Sequence, residues 1–343
     1  MKIKIFNQKF DIVVIWKLRK TILRCIFNNK KIINFFRAEI SRMMRKKDLK
    51  SLPIALNIEP TTRCNLKCPM CWRTYIKPVR DIDLTFENYK KIIDQVANTL
   101  LFLFLWNWGE PLLHKDIAQM VEYAKNKGIF VSLSTNAFFL DEKAINEMIS
   151  SGLDHMIISL DAATKETYLQ CRPGSDFNKV TNNIKNLIAK KRQKKSILPF
   201  INLQFIVMKM NETELIQAKN LGKELGVDKV SFKKLDAPIK HLREKLSPVN
   251  KKFKPDVYGK KTRNLKCFRP WFHCVINSDG DVIPCCHDFT FKYVLGNVFK
   301  ESFGKIWHNK EYTGFRRQIL EGKVIEMCKF CPGLNFGDSF LTV

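Results

Sequence analysis

No apolar run in this chain is long enough to cross a bilayer. The most apolar stretch, Leu100 to Trp106, is seven residues, where a helical span needs roughly 18, so it reads as a buried strand. No secretion signal stands at the N-terminus: Lys9, Asp11, Lys17, Arg19 and Lys20 break its apolar stretches, and no small-residue cleavage site follows one. Acidic residues are scarce, 33 Asp and Glu against 60 Lys and Arg, for a net charge of +27. Internal repeats, low-complexity tracts and nucleic-acid recognition motifs are missing too. These absences argue against a membrane-spanning protein and a repeat array. They also argue against a secreted disulfide scaffold, as does the odd cysteine count of eleven. The expected compartment is the reducing cytoplasm, where clustered cysteines more often bind metal or do redox chemistry than staple loops.

The chain holds 343 residues, 45% of them hydrophobic, enough for one large catalytic domain, a smaller one and a proper core. Two readings of the basic balance fit. It suits anionic partners such as phosphorylated substrates or lipid, and it also suits codon bias, since Lys, Asn, Ile and Phe are all abundant. The excess is concentrated in residues 1–50, with fifteen Lys and Arg against three acids, a net of +12. Apolar residues from Ile12 to Ile40, among them Trp16, Phe27, Phe35 and Phe36, interleave with the charges at nearly helical spacing. The segment reads first as ordinary packed helices. Its second reading is an amphipathic element peripheral to an anionic membrane, at the inner face.

From about 51 to 235 the chain alternates between strand and helix patterns. Strands are expected at 54–59, 100–106, 129–135, 155–161, 199–207 and 228–235. Helices are expected near 85–98, 115–127, 141–151, 177–193 and 212–225. Alternation of this kind implies right-handed βαβ units and a parallel sheet, with the reactive site at the carboxyl ends of the strands. Residues 236–266 are rich in Lys and Pro and read as a linker. The remainder, 267–343, holds most of the other cysteines.

The loop after the first strand reads RCNLKCPMCW, placing Cys64, Cys68 and Cys71 at C-x3-C-x2-C. Pro69 disfavours helical geometry at Cys68, so the loop is irregular. Three thiolates can ligate three irons of a [4Fe–4S] cube and leave the fourth open. A zinc site is the competing reading, but structural zinc prefers four protein ligands, and the next histidine, His114, is far away in sequence.

In this position the motif resembles the signature of the radical S-adenosylmethionine (SAM) superfamily. Further segments carry the resemblance over roughly residues 52–235. Trp108-Gly109-Glu110-Pro111 is similar to the family's GGEP turn, with Trp108 in place of the first glycine. Ser134-Thr135-Asn136 is similar to its TNG turn. Ser159-Leu160-Asp161 ends the fourth strand, with Arg172 beyond it. The resemblance implies a partial (β/α)6 TIM-like barrel. It also implies a SAM pocket formed by Trp108, Gly109, Glu110, Pro111, Ser134, Asn136, Ser159, Asp161 and Arg172. SAM would chelate the open iron, and reductive cleavage would give a 5′-deoxyadenosyl radical that abstracts a substrate hydrogen.

The C-terminal region, 267–343, resembles the small cysteine-rich α+β SPASM/twitch extension of that family. The match runs through R-P-W, D-G-D-V-x-P-C-C, L-G-N-V, Ile306-Trp307 and a final C-x2-C. Asp279-Gly280-Asp281 signals a tight hairpin, which would return Cys285 towards Cys267. With Cys328 and Cys331 that makes four thiolates for one auxiliary [4Fe–4S] cluster relaying an electron. Adjacent residues face opposite ways on a strand, so one of Cys285 and Cys286 is the ligand. Cys285 is expected, with Cys286 the alternative, and a four-cysteine zinc ribbon is the competing reading.

An enzyme of this kind needs an electron donor such as flavodoxin or ferredoxin. The charge balance favours a sugar, nucleotide-sugar or lipid-linked glycan as substrate, with a peptide or protein the alternative. A basic zinc-containing nucleic-acid-binding protein is the non-enzyme alternative; no nucleic acid is expected as a partner.

Overall fold

The helices begin where short polar side chains cap them. Thr85 accepts from the Asn88 N–H ahead of helix Phe86–Val96, Asp141 from Ala144 ahead of Glu142–Ser150, and Asp176 from Lys179 ahead of Phe177–Gln193. Helix Leu215–Leu225 stops at Gly226, whose φ of 74° supplies the left-handed turn. In the computed structural model the described residues are 2–5, 8–11, 28–75, 81–236, 239–254, 267–323 and 325–328.

A short antiparallel hairpin, β1 (Lys2–Ile5) and β2 (Gln8–Asp11), opens the chain ahead of the Ile12–Ile40 stretch read as helical, of which residues 12–27 lie outside the described residues. Helix Asn29–Met43 follows. The central sheet comprises β3 (Ala55–Ile58), β4 (Phe102–Phe104), β5 (Phe130–Thr135), β6 (His155–Ser159), β7 (Phe200–Val207) and β8 (Lys229–Lys234). All five neighbouring pairs are parallel, and the strand order follows the chain order. An open doubly wound sheet reverses its order part-way. A monotonic order instead makes every crossover run the same way and puts the helices on one face, as in a partial (β/α)6 barrel.

The sheet does not stop at β3. Strand β9 (His273–Ile276) pairs parallel with β3, aligning His273 with Ala55 and Ile276 with Ile58. Strands β10 (Asp281–Ile283) and β11 (Gly296–Asn297) continue it antiparallel. The hairpin between β9 and β10 turns at Gly280, whose φ is 87°. The C-terminal segment therefore shares one sheet and one core with the barrel: Trp271, Phe303 and Trp307 pack in the same cluster as Leu56, Tyr89 and Phe130.

The segment read as a linker also has structure. Within it, helix Lys240–Leu246 presses Leu242 and Leu246 into a second, smaller cluster that contains Leu66, Cys68 and Met70. It covers the cysteine loop. Residues 255–266 lie outside the described residues, and no described helix is long and apolar enough to cross a membrane.

Candidate active site

The cysteine loop leaves the end of β3 and is tied down from several sides. Arg63 pairs with Asp83 and donates to the Leu113 carbonyl, and the Arg73 guanidinium donates to the Thr62 carbonyl at 2.6 Å. Cys64, Cys68 and Cys71 fall together, all unbridged, Cys68 buried and the other two half-buried. Burial pushes all three thiols up, Cys68 to about 12, so they need a cation to ionise them.

Each expected SAM-pocket residue has a defined place. Gly109 is the tightest: a β-carbon there would stand 1.8 Å from the Thr61 carbonyl oxygen, so only glycine fits. Trp108 needs no such restraint, because its side chain points away and packs 5.3 Å from the Phe291 ring and 6.0 Å from Phe289. That explains how a tryptophan replaces the glycine of the GGEP pattern. The Glu110 carboxylate accepts from Thr135 Oγ1 at 2.6 Å, the Asn136 N–H at 2.7 Å and the Leu112 N–H at 3.1 Å. It joins the β4 and β5 loops, and burial raises its pKa against the pull of those donors. Pro111 opens the short 3-10 turn that Glu110 caps. Asn136 Nδ2 donates to Asn65 Oδ1 in the cysteine loop at 2.9 Å. Ser134 and Ser159 are half-buried.

Asp161 and Arg172 form a buried ion pair. Asp161 holds a positive φ of 63°. Its other carboxylate oxygen accepts from the Ile206 N–H at 2.7 Å, and Asn211 grips its carbonyl at the same distance. Arg172 Nη1 stands 3.9 Å from Cys68 Sγ. The resemblance placed Arg172 against SAM; in this structure its charge answers Asp161 and faces a cluster cysteine.

Of the auxiliary cysteines, Cys285 is buried and Cys267, Cys286 and Cys328 are half-buried; Cys331 lies outside the described residues. Arg269 Nη1 is 3.5 Å from Cys285 Sγ and 3.4 Å from Cys286 Sγ. The hydrogen bond from Cys286 and the Arg269 charge push the Cys285 thiol well down; that same bond and burial push the Cys286 thiol well up, against Arg269. Cys274 is a core residue against Tyr312, and Cys171 donates to the Asp161 carbonyl.

Residues 285–291 touch both ends of the strand arc. His287 Nε2 is 3.3 Å from Asp236, two residues past β8, and Phe289 stacks on Trp72, directly behind Cys71, at 4.1 Å. The auxiliary segment thus roofs the carboxyl-terminal mouth of the barrel.

Sequence reading missed three residues at this mouth. Glu59 Oε1 accepts from the Trp108 and Gly109 N–H groups, its Oε2 has no partner among the described residues, and burial raises its pKa to about 7. The signal was a carboxylate ending an otherwise apolar strand. Arg269 was visible as part of R-P-W, without a role. Phe289 had no local signal.

The donor set fits the expected groups. Among the described residues no three His, Cys, Asp or Glu side chains converge closely enough for a single metal ion, whereas a cube takes each thiolate on a different iron. Arg172 Nε and Trp72 Nε1, on either side of the cysteine loop, are buried without hydrogen-bond partners among the described residues. Cys64, Cys68 and Cys71 would hold the first cube, and Cys267, Cys285, Cys328 and Cys331 the second.

Comparison with known proteins agrees. The radical SAM superfamily profile matches residues 58–205, and the SPASM iron–sulfur cluster-binding domain matches residues 267–332. The chain belongs to the radical SAM superfamily and carries a SPASM domain, which makes it an enzyme with SAM and [4Fe–4S] clusters as cofactors. It is 24% identical over 309 residues to the tungsten-containing aldehyde ferredoxin oxidoreductase cofactor-modifying protein of Pyrococcus furiosus, covering 80% of this chain and 86% of that one. It is also 24% identical over 320 residues to the PqqA peptide cyclase of Bradyrhizobium diazoefficiens, covering 83% and 81%. Streptococcus suis SuiB bound to S-adenosylmethionine shares the fold, with a TM-score of 0.63, 16% identity and coverage of 87% and 76%. SuiB has also been solved bound to its precursor peptide SuiA.

Proposed function

We propose that this enzyme modifies a peptide or protein side chain by radical chemistry, with net oxidation of the substrate. The observation that carries it is the roof over the barrel mouth. Residues 285–291 touch the loops after β3 and β4 and the end of β8, so a substrate in the mouth lies between the two cysteine sets. When bound, SAM and the clusters supply a 5′-deoxyadenosyl radical and an acceptor for the substrate's second electron. The chain's own part is positioning. Gly109 lets the backbone approach closely, Glu110 and Asn136 lock the β4 and β5 loops to the cysteine loop, and the aromatic side chains keep water out.

A peptide is favoured over the carbohydrate suggested by the charge balance. Relatives spanning most of the chain include a protein named as a peptide cyclase and one bound to its precursor peptide, and Trp72, Trp108, Phe289 and Phe291 give the mouth an apolar wall. The test is anaerobic incubation with SAM and dithionite, in parallel, of short peptides encoded beside the gene and of nucleotide sugars. Loss of two hydrogens from a peptide by mass spectrometry is expected. An oxidised sugar with every peptide unchanged would overturn the proposal.

A further inference from the structure

Helix Asn29–Met43 is turned the opposite way from an ordinary amphipathic helix. The stripe it buries is polar or small: Lys31, Asn34, Ala38 and Ser41. Lys31 Nζ donates to the Gly128 carbonyl at 2.6 Å and the Lys127 carbonyl at 3.4 Å, just past helix Ile117–Asn126. Asn34 exchanges two hydrogen bonds with the Leu52 backbone, at 2.8 and 2.9 Å. These bonds fix which side faces outward. The outward stripe is apolar: Ile33, Phe36, Ile40, Met43 and Met44 are between 49% and 69% exposed. Five large apolar side chains at helical spacing make a contiguous patch rather than the single exposed residues normal on protein surfaces.

The charges around the stripe indicate what covers it. Lys30 and Arg37 are exposed on the same helix and Lys46 just beyond it. The one acid of the helix, Glu39, is neutralised by two bonds from Arg42 at 2.8 Å. A second copy of this chain would set these cations against one another, whereas an anionic lipid surface complements them. We infer that the outer face of helix Asn29–Met43 docks the enzyme on anionic membrane, with Ile33, Phe36, Ile40 and Met43 entering the headgroup boundary and Lys30 and Arg37 meeting lipid phosphates. Each basic residue near such a surface strengthens the attraction, which fades within a Debye length.

The test is co-sedimentation of the full chain with phosphatidylcholine vesicles, with or without phosphatidylglycerol. Binding is expected only with phosphatidylglycerol, weakening as salt is raised. The F36S/I40S/M43S variant should bind about tenfold more weakly while keeping its melting temperature and uncoupled SAM cleavage. Arg37→Glu leaves the apolar stripe intact and should also weaken anionic binding. A chain that stays in the supernatant with phosphatidylglycerol vesicles, or serine and glutamate variants that bind like the parent, would overturn the inference. So would a dimer in sedimentation velocity that the triple variant dissociates while vesicle binding is unchanged, which would give the face to a second copy.

Discussion

Trp72 and Phe289 stack with ring centroids 4.1 Å apart and planes 29° apart. One follows the last cysteine of the barrel loop, and the other stands four residues past Cys285, so the contact joins the two cysteine regions. Neither ring is fully buried. Stacked pairs contribute about 0.5–1.5 kcal/mol beyond area burial. A double-mutant cycle with Trp72→Ala and Phe289→Ala should return a coupling in that range, read from thermal melts of anaerobic protein. Additive effects of the two substitutions would show that the halves of the site are held together elsewhere.

Gly109→Ala should be far worse than its size suggests. The obstacle is the Thr61 backbone carbonyl, 1.8 Å from the new methyl group, and no side-chain rotation relieves it. We expect a loss of at least about 3 kcal/mol in stability and no measurable SAM binding. A SAM isotherm like that of the parent would show that the β4 loop can move away from the cysteine loop.

Arg172→Ala tests the buried pair. Removing the guanidinium leaves Asp161 charged, buried and bonded on its other oxygen to Ile206. Breaking such a pair from one side costs about 3–5 kcal/mol. The D161N/R172M double variant should recover much of that stability, because no lone charge is left behind. SAM affinity in the double variant then reports on Arg172 without the folding defect. Equal melting temperatures for Arg172→Ala and the parent would refute the structural role.

The barrel was largely legible in the sequence. Six strands separated by helices appear within about three residues of the expected ends, since buried apolar runs bounded by caps and glycines are local signals. The short helix Lys165–Cys171 was missed, and so was the pairing of β9 with β3. HCVI is only four residues long, and nothing in it says which of the two edges of the six-stranded sheet, β3 or β8, it will join. The roof over the mouth depends on that pairing, so it was invisible too. Glu59 looked like the end of a strand because its function lies in two backbone N–H groups 49 and 50 residues away.

Glu59 gives the pH dependence its sign. Burial raises its pKa from 4.5 to about 7; Asp279 adds to the rise, and the Trp108 and Gly109 N–H groups and Arg73 oppose it. A carboxyl raised in the folded state favours folding fully below its unfolded pKa, and that contribution is lost as pH climbs through the folded value. Glu59→Gln removes this titration. Relative to the parent, the variant should gain stability between pH 5 and pH 8, by up to about 3 kcal/mol. Parallel melting-temperature curves for the two proteins across that interval would show that Glu59 is ionised throughout.

The auxiliary ligands can be separated by iron content. Arg269 reaches both Cys285 and Cys286, at 3.5 and 3.4 Å, so proximity to the guanidinium does not choose between them. Depth does: Cys285 is buried and Cys286 half-buried, and neighbouring residues along an extended segment face opposite ways, so the buried thiol is the expected ligand. Cys285→Ala or Cys328→Ala should therefore lower anaerobically reconstituted iron from about eight to about four per chain. Cys286→Ala should leave it near about eight. The auxiliary variants should still release 5′-deoxyadenosine from SAM under dithionite, because Cys64, Cys68 and Cys71 form a separate set, and the C64A/C68A/C71A variant should not. Iron lost with Cys286→Ala and kept with Cys285→Ala would move the ligand by one residue. Full iron with Cys328→Ala would remove Cys328 from the cluster.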